Sequence, residues 1–342
     1  MLIACALFLL VVPLPAPWVE RLYADAWYPR LQSFLTSWSN LSAISLFDTL
    51  IAVVSLVALV AWASVLRQAW RARSLRPVFS PVMTTLTCAA GGYLWFQLAW
   101  GLNYARPPLE QTIGYDRDRV TLDALRALAD RATNEANASY AAAHSAGFPG
   151  NAEVPPTLVT ALHDVERRLG RPRQTTPSRP KKSALALFFR ISGVDGMHAP
   201  LLLETLLNPD LTPPERPAVL AHEWAHLSGY APEADASFVG LLAALRADPS
   251  ARYSAWLTIF DDAVGQLPAS ERRSFLARLG PGPQADRDAI SERLRSRVDV
   301  VARASWGTYD RYLKSQGVRE GLQSYSRVIQ LLLGSGAIDW RE

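Results

Sequence analysis

The sequence predicts N-terminal transmembrane helices followed by a mainly α (α+β) domain whose small sheet precedes a helix carrying His-Glu-x-x-His. Three observations predict it. Residues 47–66 and 82–102 are apolar runs of about 20 residues, each long enough for ~30 Å of hydrocarbon. Residues 104–342 show helical periodicity with few strand-like runs. Residues 222–226 read HEWAH inside an amphipathic pattern with capping signals at both ends.

The first segment, 2–15, is strongly apolar but interrupted by Pro13 and Pro15. It lacks a basic leader and a small-residue cleavage site, so a short first span is expected rather than a signal peptide. Asp48 sits at one edge of the second run, and Trp62, Trp95 and Trp100 lie near span ends, as interfacial anchors do. Arg67, Arg71, Arg73 and Arg76 crowd the loop between 66 and 82, which the positive-inside rule places in the cytoplasm. The chain thus divides into a membrane region, 1–103, and an extracytoplasmic domain, 104–342. The Trp-, Tyr- and Leu-rich loop at 17–46 falls outside as well. It is expected to form a helix in the lipid interface or on the soluble domain.

The domain is expected to open with a polar linker, 104–118, carrying Pro107 and Pro108. A helix over 122–144, a loop at 147–156 and a helix over 157–169 follow. The run ALALFFRI at 184–191 is the best strand, with a weaker one at 201–207. Beyond the motif, helices are expected over 234–247, 253–267, 270–279, 286–314 and 323–333, with Pro281 and Pro283 in a loop. Cys5 and Cys88 both fall in predicted spans, so neither a disulfide framework nor a Cys-based zinc site is available. The net charge of +4 is small, and no nucleic-acid-binding motif occurs. The basic, proline-interrupted stretch 171–182 reads as a solvated loop, or as a contact with anionic headgroups.

Positions i and i+4 of a helix share a face, so His222 and His226 can offer two imidazoles to one metal, with Glu223 beside them as a base. With only 5 His in 342 residues, chance gives this pattern on the order of a few times per thousand such chains. The context is specific too. Thr212-Pro-Pro-Glu215 is a capping box with proline at the first helical position, and Gly229 stands at a C-cap. The plain alternative is a helix whose histidines merely pack. A catalytic zinc site needs a third protein ligand, and the candidates are Glu233 and Asp235. One straight helix would carry Glu233 about 10 Å beyond His226. Gly229 and Pro232 instead break the helix, so a second one starting near Glu233 can fold back. The plain alternative for Glu233 is a first-turn acid facing the helix dipole.

The stretch HEWAHLSGYAPEADASF resembles a bacterial domain-of-unknown-function family of membrane-anchored HExxH proteins, whose members read roughly HExxHxxGFxxEDEANF. Gly229, Tyr230, Glu233, Asp235, Ala236 and Phe238 fall on that pattern, and Ala234 and Ser237 depart from it. The resemblance extends to WGLNYARPPL at 100–109, to Ser192, Gly193, Pro200, Glu204 and Asn208, and to YDRYLK at 309–314 and GLQSYSR at 321–327. The Glu233–Ala236 spacing is also similar to the third-ligand segment of membrane-bound gluzincin peptidases, where an acid stands in place of Ser237.

These resemblances imply a zincin-like domain in the bacterial cytoplasmic (inner) membrane, its partners the lipid bilayer and an unidentified peptide, protein or cell-wall substrate. The implied activity is that of a zinc metallopeptidase. Zn2+ held by His222, His226 and Glu233 would acidify a water toward pKa ~7, and Glu223 would take its proton. Tyr325, Arg327, Tyr312 and His198 are oxyanion-donor candidates by side-chain type alone. A zincin sheet can also pair with an extended peptide along an edge strand. The rival expectations are a non-catalytic zincin-like membrane sensor and a zinc-dependent cell-wall amide hydrolase.

Overall fold

The computed structural model describes residues 1–316 and 327–340. The chain opens with α1 (Leu2–Val11), which bends by 118° into α2 (Ala16–Asn40). Residues Val19–Trp27 of α2 run in a widened helix with i→i+5 hydrogen bonds, as from the Tyr28 N–H to the Tyr23 carbonyl. Next come α3 (Leu46–Ala72) and α4 (Arg76–Ala99), joined by a tight turn at Arg73, whose φ of +45° closes α3. Among the described residues α3 is the one helix long and apolar enough to cross a membrane, and α1 with α2 qualifies only if the bent pair is one span. The expected third span is helical as α4, but Thr84, Thr85, Thr87, Gly91 and Gly92 dilute its hydropathy. It packs between α1 and α3.

The remainder is mostly helical: α5 (Leu122–Ala146), α6 (Pro156–Arg168), α7 (Ala186–Ser192), then β1 (Gly196–Ala199) and β2 (Glu204–Leu207). After these come α8 (Arg216–Leu227), α9 (Glu233–Arg246), α10 (Pro249–Gln266), α11 (Ala269–Arg278), α12 (Pro281–Arg295), α13 (Asp299–Ser315) and α14 (Arg327–Ser335). The sheet is one antiparallel hairpin in the register Gly196↔Leu207 to Ala199↔Glu204, and Lys181 bridges the far side of β2. Its turn is gripped from two sides. The Thr36 hydroxyl of α2 donates to the Leu203 carbonyl, and the Trp95 indole of α4 to the Leu201 carbonyl.

Several expectations are corrected. The stretch 184–191 is not a strand but helix α7. Ser183 shapes the turn that leads into it by accepting from the Leu185 N–H, and Gly193 ends it at φ +72°. A short apolar run does not distinguish strand from buried helix by periodicity, and these two flanking signals decide it. The strand expected at 201–207 shortens to β2, and its partner β1 lies upstream. The helix expected over 286–314 is two, α12 and α13. They part at Val298, whose N–H donates to the Ile191 carbonyl of α7 (2.8 Å). No Gly or Pro marks that break; a tertiary hydrogen bond makes it. Pro281 and Pro283, expected in a loop, occupy the first turn of α12, where a missing N–H costs nothing.

The motif helix sits at the centre. Trp224 of α8 is fully buried, and its indole donates to the Ser178 carbonyl. Phe238, Leu241 and Leu242 of α9 pack with Leu158 and Leu162 of α6 and Ile259 and Phe260 of α10. Burying each such side chain contributes about 1.5–3 kcal/mol. The stretch 171–182 is not a free loop. Arg171 pairs with Asp25 (3.3 Å) and donates to the Ala24 and Ser228 carbonyls. Arg179 donates to the Ser42 carbonyl, and Lys181 is wholly buried against Glu204.

Candidate metal centre

The site begins with the two caps of α8. Thr212 and Glu215 form the expected reciprocal capping box, which Arg293 braces from α12 (3.0 Å to Glu215). At the other end the Gly229 N–H donates to the His226 carbonyl and the Tyr230 N–H to that of Ala225. Gly229 has φ +85°, and a Cβ there would lie 2.8 Å from Asn103 Oδ1 and 3.2 Å from the Tyr28 ring. Only glycine allows both the left-handed turn and that packing. The reversal lets α9 run back against α8, and Gly240 sets their separation: a Cβ on it would stand 2.7 Å from the His222 backbone nitrogen. Gly240→Ala is therefore expected to cost about 1–3 kcal/mol. Gly265→Ala, with open space around it, should be neutral or slightly stabilising. Thermal melts of the two proteins check this, and equal behaviour would refute it.

His222, His226 and Glu233 converge, their ligand atoms all within 4.8 Å of one another. Glu233 Oε2 lies 3.2 Å from His222 Nε2 and 3.3 Å from His226 Nε2. Two ligands at ~2.0–2.1 Å from a tetrahedral zinc are about 3.3 Å apart, so these separations suit one ion. The tautomers suit it too. His226 Nδ1 lies 2.8 Å from the Tyr230 carbonyl, which can only accept, so Nδ1 carries a proton and Nε2 is the nitrogen turned to Glu233 and free to exchange its proton for a metal. His222 Nδ1 is held at 3.1 Å by the Ser237 hydroxyl. Tyr309 donates to the other oxygen of Glu233. This donor set, two imidazoles and a carboxylate each oriented from behind, fits a metal ion.

The electrostatics of the metal-free group follow from burial and proximity. Burial opposes ionisation of Glu233, but the facing His226 and the hydrogen bonds from both rings hold its carboxyl well below the usual range. Burial likewise opposes charge on His226, and Glu233 outweighs it, raising His226 to about 9. His222 is the member that reaches solvent, its side chain 21 % exposed. Glu223 is buried outside the ligand group. Burial raises its carboxyl, both histidines oppose the rise, and Glu233 adds to it. It leans on β1, where a Cβ on Gly196 would lie 2.7 Å from Glu223 Oε1. Its Oε2 has no hydrogen-bond partner among the described residues. Asp235, the other third-ligand candidate, is not in the group. It is pushed up to about 7 by burial and by Glu110, with Arg327 and Arg106 opposing.

The remaining candidates separate. His198 stacks beside His226 with ring centroids 6.4 Å apart, and lies 5.1 Å from the Trp100 ring. Its buried ring nitrogens have no partner among the described residues, and burial with the nearby His226 holds it well below its usual pKa. Tyr312 packs edge-on against Tyr104 and face-to-face with Tyr309. Arg327 is instead ion-paired with Glu110, and Tyr325 lies outside the described residues. Glu204 and Asn208 hold the sheet. Glu204 takes Lys181, and Asn208 spans the Val194 carbonyl and the Asp210 N–H. Tyr309 and Trp100, whose indole donates to the His226 carbonyl (3.2 Å), were not singled out from the sequence as site residues. Their elements lie far from the motif in the chain, and neither carries a local signal of ligand contact.

The chain matches the family described as "Protein of unknown function (DUF3810)" over residues 23–333, and belongs to that family. No curated protein and no solved structure matches it.

Proposed function

We propose that this protein is a membrane-anchored zinc metallopeptidase that hydrolyses peptide bonds with Glu223 as general base. The observation that carries the reading is the convergence of His222, His226 and Glu233 with a second carboxylate, Glu223, beside them and outside the group. A purely structural zinc site has no need of that carboxylate. The HEWAH and Glu233–Ala236 spacing, similar to gluzincin peptidases, supports the same reading.

When bound, zinc would polarise the scissile carbonyl and acidify a water. Glu223, raised by burial, is suited to accept a proton and return it to the leaving amine. His198, neutral and buried beside His226, can offer an N–H to a developing oxyanion. Tyr309 fixes the orientation of Glu233.

We place the domain on the extracytoplasmic side of a bacterial inner membrane, with spans near 2–15, 47–66 and 82–102. The Arg67–Arg76 turn supports this orientation. The hydroxyls of Thr84, Thr85 and Thr87 donate to carbonyls one turn back within α4, as lipid-exposed polar groups must.

The test is metal analysis of the purified full chain with a peptide-library cleavage assay. Glu233→Ala is expected to lose stoichiometric zinc and Asp235→Ala to keep it, and cleavage should stop with a chelator. The reverse metal result overturns the ligand assignment. Zinc without cleavage overturns the peptidase in favour of a zincin-like sensor, or, if cell-wall fragments are cut instead, of an amide hydrolase.

A further inference from the structure

We propose that the outward face of α2 is an in-plane membrane anchor, and that a groove on this face takes the headgroup of an anionic phospholipid. Helix α2 has two unlike faces. The inner one, with Val19, Tyr23, Tyr28, Leu35 and Thr36, is buried on the domain. The outer one shows Trp18 (67 % exposed), Leu22, Trp27, Phe34 (69 %), Trp38 and, just beyond the helix, Leu41 (84 %). A row of large aromatics on water is costly unless something covers it. Tryptophan, with its apolar body and one N–H, is the side chain best matched to the headgroup boundary of a bilayer.

The position of α2 says what covers it. It follows α1 at a 118° bend, so the two do not run along one axis. Residues 41–45 then lead directly into α3, whose Ile51, Val53, Val54, Leu56, Val57, Leu59 and Val60 are all exposed and apolar. The outer face of α2 is therefore continuous in the chain with the surface that α3 offers to lipid. A helix with one apolar face and one docked face, set beside a span, lies in the interface plane.

The groove supplies the charge. An open groove of about 700 Å³ runs along α2, lined by Phe34, Trp38 and Leu41 with Arg30 and Arg173. Both arginines are exposed. Two guanidinium groups beside an aromatic wall match a lipid phosphate and its acyl chains. The anchor also reaches the metal centre. The Tyr28 hydroxyl donates to the Leu227 carbonyl at the end of α8 (2.8 Å). Arg106 links Glu20 of α2 to the Gly229 carbonyl. The turn between the two ligand-bearing helices thus lies about one helix diameter, ~10 Å, beneath the proposed lipid surface.

The test uses the full chain in nanodiscs of phosphatidylcholine and phosphatidylglycerol, with Cys5→Ser and Cys88→Ser as background. Nitroxide labels are placed singly at Phe34→Cys, Trp38→Cys and, as a distant exposed control, Ser270→Cys. Collisions with oxygen should exceed those with a water-soluble nickel chelate at 34 and 38, and the order should invert at 270. Nickel-favoured collisions at 34 and 38 would overturn the anchor. Exclusion of both reagents, with two copies per disc, would overturn it in favour of a second copy of this chain. For the headgroup, Arg30→Gln with Arg173→Gln should reduce the phosphatidylglycerol retained through detergent purification several-fold by native mass spectrometry. Unchanged retention would overturn the groove assignment.

Discussion

On the function proposed above, Glu223→Gln is expected to keep its zinc and to lose hydrolysis by about 10²- to 10⁴-fold, the range in which a positioned general base contributes. The three converging ligands leave Glu223 out, so an isosteric amide removes no donor from the metal. The substitution is also mild for the fold. Glu223 is wedged against Gly196 of β1, its Oε2 has no partner among the described residues, and an amide has the same shape. What glutamine cannot do is accept a proton, the task the proposed mechanism gives Glu223. Burial raises its carboxyl, although two histidines stand close enough to oppose the rise. The decisive readings are the zinc content of the Gln protein and its single-turnover cleavage of a library-selected peptide. Full activity with full zinc would remove Glu223 from the mechanism. Loss of zinc would instead make Glu223 part of the metal centre. His226→Ala serves as the contrasting case, since it deletes a ligand and should lose metal and activity together.

Local signals made the centre of this molecule legible. The capping box at Thr212 and Glu215 and the glycine at 229 are short-range chemistry, written within four residues of the helix ends they control. They place α8 and its reversal correctly and bring Glu233 back to the histidines. Gly240 is a different kind of signal. Its role lies in the contact of α9 with the His222 backbone, which appears only once two helices are packed. The same holds for Tyr309, which reaches Glu233 from a helix 76 residues downstream. The strand expected at 184–191 failed because the apolar run outweighed Ser183, which turns the chain into a short helix, and Gly193, which ends it. The split of α12 from α13 at Val298 depends on a hydrogen bond to Ile191 that no local pattern encodes. The reading of 171–182 as a solvated loop failed for the same reason: Arg171 and Lys181 find their carboxylates on elements distant in sequence.

That buried lysine leads to the largest expected effect on stability. Lys181 and Glu204 have fully buried side chains and pair with each other, Lys181 from the bridge beside β2 and Glu204 from β2 itself. Removing one member of such a pair costs about 3–5 kcal/mol, because the other is left charged in a low-dielectric interior. The two losses should not be equal. Without Lys181, Glu204 still accepts from the Phe47 N–H (2.7 Å), the Leu46 N–H (3.2 Å), the Ser39 hydroxyl (3.1 Å) and the Ser45 hydroxyl (3.5 Å). Those amides are first-turn donors of α3, which the helix itself cannot satisfy and whose dipole favours an anion. With a neutral amide at 204, Lys181 keeps the carbonyl and hydroxyl of Ser39 and an uncharged oxygen, but no counter-charge. Glu204→Gln is therefore expected to fall at the upper end of that range and Lys181→Met below it. The paired substitution Lys181→Met with Glu204→Gln should recover part of the loss. Denaturant unfolding of the full chain in detergent, followed by tryptophan fluorescence, orders the three proteins. If Lys181→Met proved the more destabilising, the carboxylate would depend on the ammonium alone. The capture of the α3 N-terminus by Glu204 would then contribute nothing. The ordering matters for function because Glu204 sits opposite Ala199 in the hairpin, one residue from His198. The hairpin is held at the first turn of α3 through Glu204 of β2 and leans on Glu223 through Gly196 of β1, so a few contacts join α3 to the Glu223 carboxylate.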